Sequence, residues 1–412
     1  MKIQTKLIVQ DAFFKFIKQN CINTENIREI ASLYMVAILI FISVVIFLCY
    51  AALIFYYRNG WTNMPNFILN KQYLPTTKVS IVIPARNEEK NIKHLLKDIL
   101  SQYYPTHLME IIVVDDHSTD QTAQIIQSFQ GVKYINLSDH LHGEILNAYK
   151  KKAIETAIAQ SEGELIITTD ADCRMGAYWL LSLVQYFEKY KHQFIAAPVQ
   201  FSNNGSFFQT FQSLDFITMQ GITGAVVNNQ SGTMCNGANL AYTKKAFHAV
   251  GGFKDIDDIA SGDDMLLMYK IEQKYPARIG YLKCPEAIVT TAPMQDLKSF
   301  LQQRIRWASK ATKFKDKRIQ FVLGLVYFFN LTFLILQLFS LQNSQNLFTF
   351  LGLLILKTAI EMYFLKPVCH FFKKEKELYP FFILQFIHIP YILLSGLMGQ
   401  FGSYRWKERI VK

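Results

Sequence analysis

Two hydrophobic patterns divide the chain: long uncharged runs lie towards its two ends, and short apolar runs lie in its middle. Residues 30–57 contain no charged side chain, and this run is longer than the ~20 residues that a helix needs to cross a bilayer. Further apolar runs occupy residues 319–341, 347–365 and 378–400. The pattern predicts one transmembrane helix before a central domain and three transmembrane or re-entrant helices after it.

The central domain alternates strand-like and helix-like segments. Apolar runs at residues 79–83, 109–114, 133–137 and 165–167 are typical of buried strands, and residues 144–160 have a helical pattern. Strands that alternate with helices favour parallel pairing, because each crossover places a helix against the sheet. The predicted fold class is therefore α/β, with a mainly parallel sheet, helices on both of its faces, and additional transmembrane helices.

The same patterns divide the chain into segments. These are a lead segment (residues 1–29), a transmembrane helix (30–57), a linker (58–77), the α/β domain (78–295), an amphipathic helix at the membrane interface (296–318), three transmembrane or re-entrant helices (319–400) and a basic tail (401–412). In the amphipathic helix Leu297, Phe300 and Ile305 share one side, whereas Arg304 points elsewhere. That arrangement suits a helix lying on a membrane surface.

Composition supports a membrane protein. Hydrophobic residues make up 51% of the chain and charged residues only 18%. The net charge of +11 comes with no nucleic-acid recognition motif. Because the cytoplasmic leaflet attracts Lys and Arg, the expected partner is the membrane and not nucleic acid. The six cysteines show no CxxC spacing, which argues against a zinc site and fits reduced thiols on the cytoplasmic side.

Two carboxylates follow the apolar run at residues 165–167. Asp170 and Asp172 stand one residue apart at the predicted end of this strand. In open parallel sheets, ligands bind beyond the carboxyl ends of the strands. Two carboxylates there, together with phosphate oxygens and water, are suitable ligands for Mg²⁺ or Mn²⁺. An isolated Asp-x-Asp is also compatible with a simple polar turn.

Five stretches together resemble a known family. Residues 82–88 (VIPARNE), 113–120 (VVDDHSTD) and 169–172 (TDAD) are similar to the nucleotide-sugar-binding half of family 2 glycosyltransferases, which are inverting enzymes with a GT-A fold. Residues 261–267 (SGDDMLL) extend the similarity. Residues 303–307 (QRIRW) resemble the QxxRW motif of membrane members such as cellulose synthase, hyaluronan synthase and ceramide glucosyltransferase.

The resemblance implies a donor site and a metal site. The implied donor-binding residues are Ala85, Arg86, Glu88, Asp116, Lys150, Asp170, Gln303 and Arg306. Asp116 would accept a hydrogen bond from a uracil ring, and Asp170 and Asp172 would hold a divalent metal, Mg or Mn. The run 150–152 consists of three lysines, so the register of Lys150 stays open, and without the resemblance the run suits a solvated helix face.

The resemblance also implies a catalytic base and an acceptor contact. Asp264 would take the proton of the acceptor hydroxyl, and one base without a nucleophile gives a single displacement with inversion. Gly262-Asp263 stands where the family often has Thr-Glu, so Asp263 is the alternative base. The two carboxylates also suit the first turn of a helix, a role that is compatible with catalysis. Trp307 would face the acceptor, with interfacial anchoring as the alternative.

The predicted membrane segments carry two charges and a topology. Lys357 and Glu361 stand four residues apart, so they are expected to pair on one helix face. The basic loop at residues 366–376 predicts a cytoplasmic position, on the same side as the α/β domain. This makes the chain a multi-pass protein of the cell (cytoplasmic) membrane. Four spans would place both basic termini outside, whereas a re-entrant last segment would return the tail to the cytoplasm.

These features predict a membrane-bound inverting glycosyltransferase. Its donor would be a nucleoside-diphosphate sugar, a UDP-sugar in the first instance, and its acceptor a membrane lipid or a lipid-linked saccharide. The alternative within the family is a processive polysaccharide synthase, although so few spans offer little room for a polymer channel. From other classes, a non-catalytic membrane scaffold and a transporter are the alternatives. The intact acidic motifs argue against the scaffold, and the long soluble domain argues against the transporter.

Overall fold

The computed structural model describes residues 37–141, 146–232, 234–259, 262–309, 316–340, 344–401, 404–406 and 409–411, with residues 15 and 34. Apart from residue 15, the predicted lead segment 1–29 lies outside the described residues. So do Ser261 of the fourth motif, the start of the helix predicted at residues 144–160, and residues 310–315 of the predicted interface helix.

The elements alternate as the sequence predicts. The strands are β1 (Val79–Ala85), β2 (Met109–Asp115), β3 (Val132–Asn136), β4 (Leu165–Thr168), β5 (Arg174–Met175), β6 (Phe194–Ala196), β7 (Val199–Phe201), β8 (Leu240–Thr243), β9 (Ile279–Tyr281), β10 (Val289–Thr291), β11 (Tyr404–Trp406) and β12 (Arg409–Val411). The helices are α1 (Ala37–Asn63), α2 (Ile92–Leu100), α3 (Thr122–Gln127), α4 (Tyr149–Ala159), α5 (Trp179–Tyr190), α6 (Phe207–Asn228), α7 (Lys244–Ala249), α8 (Met265–Lys274), α9 (Leu297–Ala308), α10 (Lys317–Ser340), α11 (Ser344–Phe371) and α12 (Phe381–Phe401).

A seven-stranded sheet forms the centre of the α/β domain, in the order β3-β2-β1-β4-β8-β6-β9. The first four strands are parallel, β8 is antiparallel to both of its neighbours, and β9 is parallel to β6. Val79, Ile81 and Val82 of β1 are completely buried, because helices cover both faces of the sheet. The predicted mainly parallel α/β fold is confirmed.

Strand β1 is longer than predicted, and this places the first motif. The apolar run predicts a strand over residues 79–83, but β1 continues through Pro84 to Ala85. Proline has no backbone N–H to donate to a neighbouring strand. Strand β4 pairs with β1 only as far as Val82, so no β4 partner is lost at Pro84. The next helix begins at Ile92, because the positive φ of Asn87 (52°) interrupts helical geometry.

A smaller sheet, in the order β5-β10-β7, lies beside the first. Strand β5 follows directly after the Asp170–Asp172 turn, and β10 pairs with it in antiparallel register, Val289 opposite Met175. Because of this pairing, the end of β10 lies beside Asp172. The small sheet therefore connects the carboxyl edge of the main sheet with the segment that leads to α9.

Four helices are long and apolar enough to cross a membrane: Ala37–Asn63, Lys317–Ser340, Leu347–Phe371 and Phe381–Gln400. In the third of these, the ion pair expected between Lys357 and Glu361 is present, with a distance of 2.7 Å between Nζ and Oε1. Both side chains are buried, and Gln385 of α12 donates to Glu361. The prediction of a mutually neutralising pair is confirmed.

Helix α1 is attached to the α/β domain through Lys283. Its Nζ donates to the backbone oxygens of Trp61 (2.8 Å) and Met64 (3.0 Å), and it lies 4.5 Å from the centre of the Trp61 ring. Burial lowers the pKa of Lys283 to about 8. The contact fixes the end of α1 against the loop that follows β9.

Helix α12 begins and ends near the α/β domain. The loop before it is held by Lys374, whose Nζ lies 2.9 Å from Ser213 Oγ in α6. At its other end the backbone of Gly399 approaches α9 so closely that a Cβ atom there would lie 2.7 Å from Ala308 Cβ. The loop before α12 and the last turn of α12 are therefore held by α6 and by α9, respectively. This course favours the re-entrant last segment that the sequence leaves open.

Candidate active site

The carboxyl ends of β1 and β2 are joined by direct hydrogen bonds. Asp116 N donates to Ala85 O (2.8 Å), and Arg86 Nη1 donates to the backbone oxygens of Asp116 (2.8 Å) and His117 (3.2 Å). Parallel pairing produces this arrangement, because the carboxyl ends of neighbouring parallel strands meet at the same edge. The first two motifs therefore form one continuous wall.

The loop after β1 is held in shape by the loop after β2. Asn87 N donates to Ser118 Oγ (2.9 Å), and Thr119 N donates to Asn87 Oδ1 (2.9 Å). Glu88 N donates to Thr122 Oγ1 (2.7 Å). Asn tolerates the left-handed conformation better than most residues, which explains its place at this turn.

Asp116 is buried at the end of β2, with 3% of its surface exposed. Its Oδ1 lies 2.8 Å from Nδ1 of His117, a residue that also has a positive φ of 56°. The His117 ring packs edge-on against Tyr149 at the start of α4. No role is predicted for His117 from the sequence, although it lies within the second motif.

Lys150 connects two acidic segments. Its Nζ lies 2.7 Å from Asp170 Oδ1 and 3.1 Å from Asp263 Oδ2. Burial opposes the charge of this lysine, but the carboxylates of Asp170 and Asp263 outweigh it and raise the pKa of Lys150 well above its ordinary value. Lys150 is therefore a fixed cation within the site.

The structure also resolves which of the three consecutive lysines faces the aspartates. Lys151 is buried and donates to the backbone oxygen of Ile259 (2.7 Å). Lys152 lies 3.9 Å from Glu155 on the outer side of α4. A helix turns by about 100° per residue, so only one lysine of the run can point at the strand end.

Asp172 lies against the small sheet. Its Oδ2 accepts a hydrogen bond from Thr291 Oγ1 (3.1 Å) at the end of β10. Asp170 and Asp172 are both partly exposed, and they offer the hard oxygen ligands that Mg²⁺ and Mn²⁺ prefer. Among the described residues no group of three or more His, Cys, Asp or Glu side chains is arranged to hold a metal ion. The pair nevertheless fits a cation that takes its remaining ligands from phosphate and water.

Asp264 forms the N-cap of α8. Its Oδ1 accepts from Met265 N (2.7 Å), and its Oδ2 accepts from Gly237 N (3.3 Å). The sequence suggests that both carboxylates lie in the first turn of a helix, but α8 begins after them, and of the two only Asp264 is its N-cap. Gly262 has φ of 82°, a conformation that glycine adopts without strain, and it sets the direction of the turn into Asp263.

Gly237 lets the loop before β8 approach the acidic pair. A Cβ atom there would lie 3.2 Å from Asp263 Oδ2 and 3.3 Å from Lys150 Nζ. The Asn236-Gly237 dipeptide belongs to the loop that leads into β8. Its contact with the acidic pair depends on the pairing of β8 with β4, which sequence patterns do not specify.

Helix α9 carries Gln303, Arg306 and Trp307 of the last motif, all partly buried. The prediction that Arg304 lies on the polar side of this helix is wrong. Arg304 is buried, its Nη2 lies 2.7 Å from Asp215 Oδ2, and its guanidinium lies 4.2 Å from the centre of the Trp307 ring. A buried arginine needs a carboxylate partner, and α6 supplies one.

A sequence signal for this pair existed. Asp215 is the single charged residue between residues 201 and 231, within a segment that is otherwise apolar or neutral. A lone carboxylate in such a helix usually has a partner. The identity of that partner, Arg304, depends on the packing of α6 against α9.

Comparisons with known proteins agree with this geometry. The family profile described as "Glycosyl transferase family 2" matches residues 80–251, from β1 to the end of α7. The chain is 30% identical over 300 residues to the "Probable glycosyltransferase YdaM" of Bacillus subtilis, covering 68% of this chain and 67% of that protein.

Two other relatives differ in what their names say they make. The "Beta-monoglucosyldiacylglycerol synthase" of a Synechocystis strain is 27% identical over 245 residues, which cover 57% of this chain and 48% of that protein. The "Poly-beta-1,6-N-acetyl-D-glucosamine synthase" of Staphylococcus epidermidis is 24% identical over 257 residues, which cover 59% of this chain and 57% of that protein. The chain thus spans about half the length of these two relatives.

The fold is also found in a solved structure. The mannosyltransferase PcManGT from Pyrobaculum calidifontis, solved in complex with GDP-Man and Mn²⁺, superposes with a TM-score of 0.56 at 18% identity, covering 88% of this chain and 99% of that one. The likeness shows that the chain has a GT-A fold. Together with the match to the B. subtilis relative over two thirds of its length, these findings show that the chain belongs to glycosyl transferase family 2 and is a glycosyltransferase.

Proposed function

We propose that this chain is a membrane-bound, inverting glycosyltransferase that moves a sugar from a nucleoside-diphosphate sugar, a UDP-sugar in the first instance, to a membrane lipid or a lipid-linked saccharide. The observation that carries the proposal is the position of Lys150, 2.7 Å from Asp170 and 3.1 Å from Asp263. This lysine connects the strand end where donor phosphates would bind to the helix start that carries the candidate base, Asp264.

The donor nucleotide would lie along the carboxyl ends of β1 and β2. Ala85, Arg86 and Glu88 would surround it, and Asp116 would accept a hydrogen bond from the uracil ring. The hydrogen bonds between these two loops support a wall that is already formed before the donor binds, which lowers the entropy cost of binding. Gln303 and Arg306 of α9 would reach the diphosphate from the other side.

Asp170 and Asp172 would hold Mg²⁺ or Mn²⁺. When bound, such a cation would stabilise the charge that develops on the departing nucleoside diphosphate. Lys150 would add a fixed positive charge beside the same phosphate oxygens. The Mn²⁺ bound in the similar mannosyltransferase supports a divalent cation in this chain as well.

Asp264 would accept the proton of the acceptor hydroxyl while the hydroxyl oxygen attacks the anomeric carbon. A base of this kind typically contributes about 10²–10⁴-fold to the rate. Because the attack comes from the face opposite the leaving group, one displacement inverts the anomeric configuration. Asp263 is the alternative base, although it already contacts Lys150. Trp307 would present a flat apolar ring to the acceptor.

Four long apolar helices support a multi-pass protein of the cell membrane with the α/β domain on the cytoplasmic side, where nucleotide sugars are made. The names of the two partial relatives point to a lipid and to a polysaccharide acceptor. We favour the lipid, because so few spans leave little room to enclose a growing polymer. A processive polysaccharide synthase is the alternative.

The test uses the full chain in detergent or nanodiscs with a panel of nucleotide sugars. Release of nucleoside diphosphate should depend on one donor and rise when a lipid acceptor is added, and proton NMR of the product should show an inverted anomeric configuration. A product that grows into a long polymer would support the synthase alternative. If no donor is turned over with any acceptor, the proposed function is wrong.

A further inference from the structure

A cavity of about 370 Å³ lies among the apolar helices, between α1, α6, α10, α11 and α12. This volume falls within the ~300–1,000 Å³ typical of ligand sites. Its wall is mostly aliphatic and aromatic, with Ile222 on α6, Val326 on α10 and Leu384 on α12 among the lining residues. A hydrocarbon chain is the kind of ligand that such a wall favours.

One end of the cavity lies beside the segment that carries the candidate base. Met265 lines it, and Met265 N donates to Asp264 Oδ1 at 2.7 Å. Met234 also lines it, three residues before Gly237, whose N–H donates to the same carboxylate. A molecule lying in the cavity would therefore bring one end to the candidate base.

The cavity also has a side that faces the surroundings of the helices. Tyr56 on α1 and Leu323 on α10 both line it, and their side chains are 41% and 42% exposed. They mark an opening between α1 and α10. In a bilayer, an opening there would admit a lipid from the side, without passage of its chains through water.

The ionised groups that line the cavity are already compensated. Asp215 pairs with Arg304 and Glu361 pairs with Lys357, each at 2.7 Å. The third, Arg318, lies 2.7 Å from Asp316 and 3.3 Å from a second carboxylate, that of Glu272. Within the described part of the wall, each ionised group thus faces at least one group of opposite charge, and the one cation, Arg318, faces two carboxylates. A phosphorylated lipid would bring negative charge into this apolar space without a matching cation, at a high desolvation cost.

We propose that this cavity binds the hydrocarbon part of a neutral lipid alcohol of the diacylglycerol type, with its free hydroxyl placed at Asp264. The inference rests on the proposed function and goes further, because it commits the acceptor to an uncharged lipid and names where its chains lie.

The first test fills the cavity. The full chain is assayed with dioleoylglycerol and with glycerol, which offers hydroxyls without hydrocarbon chains. Val326→Trp should lower kcat/KM for dioleoylglycerol at least about tenfold relative to kcat/KM for glycerol. The matched control is Val45→Trp on α1, an identical change at a residue that is 43% exposed, and it should leave this ratio unchanged.

Each result is decisive. An unchanged ratio in Val326→Trp, or an equal fall in both variants, would overturn the cavity proposal while the glycosyltransferase function stands. Preference for a polyprenyl phosphate over dioleoylglycerol would overturn the neutral acceptor in the same way. Failure to turn over any donor would instead contradict the proposed function itself.

A second measurement does not depend on a folded variant. The wild-type chain is labelled with a diacylglycerol that carries a diazirine in its acyl chain, with and without excess dioleoylglycerol. Label that is displaced by the competitor should map to the cavity wall, in residues 218–226 and 322–326. Label confined to outward-facing positions such as Val45 would overturn the proposal.

Discussion

At the scale of single residues, identical side chains have different roles because they point in different directions from the helix axis. Three lysines follow one another on α4. Lys150 contacts carboxylates in the site, Lys151 contacts buried backbone oxygens, and Lys152 contacts an exposed glutamate. The geometry of the helix decides these roles, because each residue points about 100° away from the previous one.

Lys150→Met should reduce sugar transfer by about 10²-fold, since it removes a cation beside the donor phosphates and leaves Asp170 and Asp263 facing each other without compensation. Lys152→Met is the matched control and should retain wild-type activity, because Lys152 lies on the outer side of the helix. The measurement is kcat/KM for the donor. Equal rates in the two variants would remove Lys150 from the site.

Asp264→Asn should lower transfer by roughly 10²-fold or more, because it keeps the size of the side chain but removes the proton acceptor. Donor affinity, measured by calorimetry with the nucleoside diphosphate, should change little. Asp263→Asn is the comparison. If only the Asp263 variant loses transfer with unchanged donor affinity, Asp263 is the base; if neither does, this segment is not catalytic.

Chelation with EDTA should abolish transfer, and Mg²⁺ or Mn²⁺ should restore it. The reason is that Asp170, Asp172 and the donor diphosphate are all negatively charged, so a cation is needed between them. The two carboxylates provide only part of the coordination of that cation, and the diphosphate oxygens complete it. Asp172→Asn should weaken donor binding in the presence of metal but much less in EDTA. Full activity in the chelator would contradict the metal site.

At the scale of elements, α6 and α9 connect the α/β domain with the apolar helices. Asp215 of α6 lines the apolar cavity and also pairs with Arg304 of α9, which stacks over Trp307. The last sequence motif is thereby held against the cavity wall by a buried ion pair.

Arg304→Met should destabilise the protein by about 3–5 kcal/mol, because it leaves the Asp215 carboxylate buried without its cation. The measurement is the free energy of unfolding in detergent, with the melting temperature as a simpler readout. Lys298→Met, a loss of positive charge at an exposed position of the same helix, should change stability by less than about 0.5 kcal/mol. Similar stability of the two variants would show that the Asp215–Arg304 pair is not needed for the fold.

At the scale of the whole molecule, the course of α12 bears on the membrane topology that we predict. The loop before α12 contacts α6, and the last turn of α12 contacts α9. This course predicts that three helices cross the membrane and that the basic tail returns to the side of the α/β domain. This agrees better with the positive charge of the tail than four spans do.

A reporter at the C-terminus should therefore read the same side of the membrane as a reporter placed in the loop between α11 and α12 and one within the α/β domain. A reporter inserted between α10 and α11 should read the opposite side and serves as the control. A C-terminal reporter on the side of the α10–α11 connection would mean that α12 spans the membrane.

The sequence by itself determined the features that depend on local pattern. Apolar runs of different length separated strands from long apolar helices, and the acidic motifs identified the strand end at Asp170 and Asp172. The Lys357–Glu361 pair also followed from the sequence, because residues four apart on a helix are neighbours whatever the rest of the chain does.

Only the tertiary structure decided the contacts between segments that are distant along the chain. It selected Lys150 from its run, placed Gly237 against the acidic pair, paired Asp215 with Arg304 and turned α12 back to the α/β domain. The physical reason is that each contact depends on how two elements pack, on strand order and on helix rotation. A periodic pattern records which face of an element is apolar, but not which other element covers it.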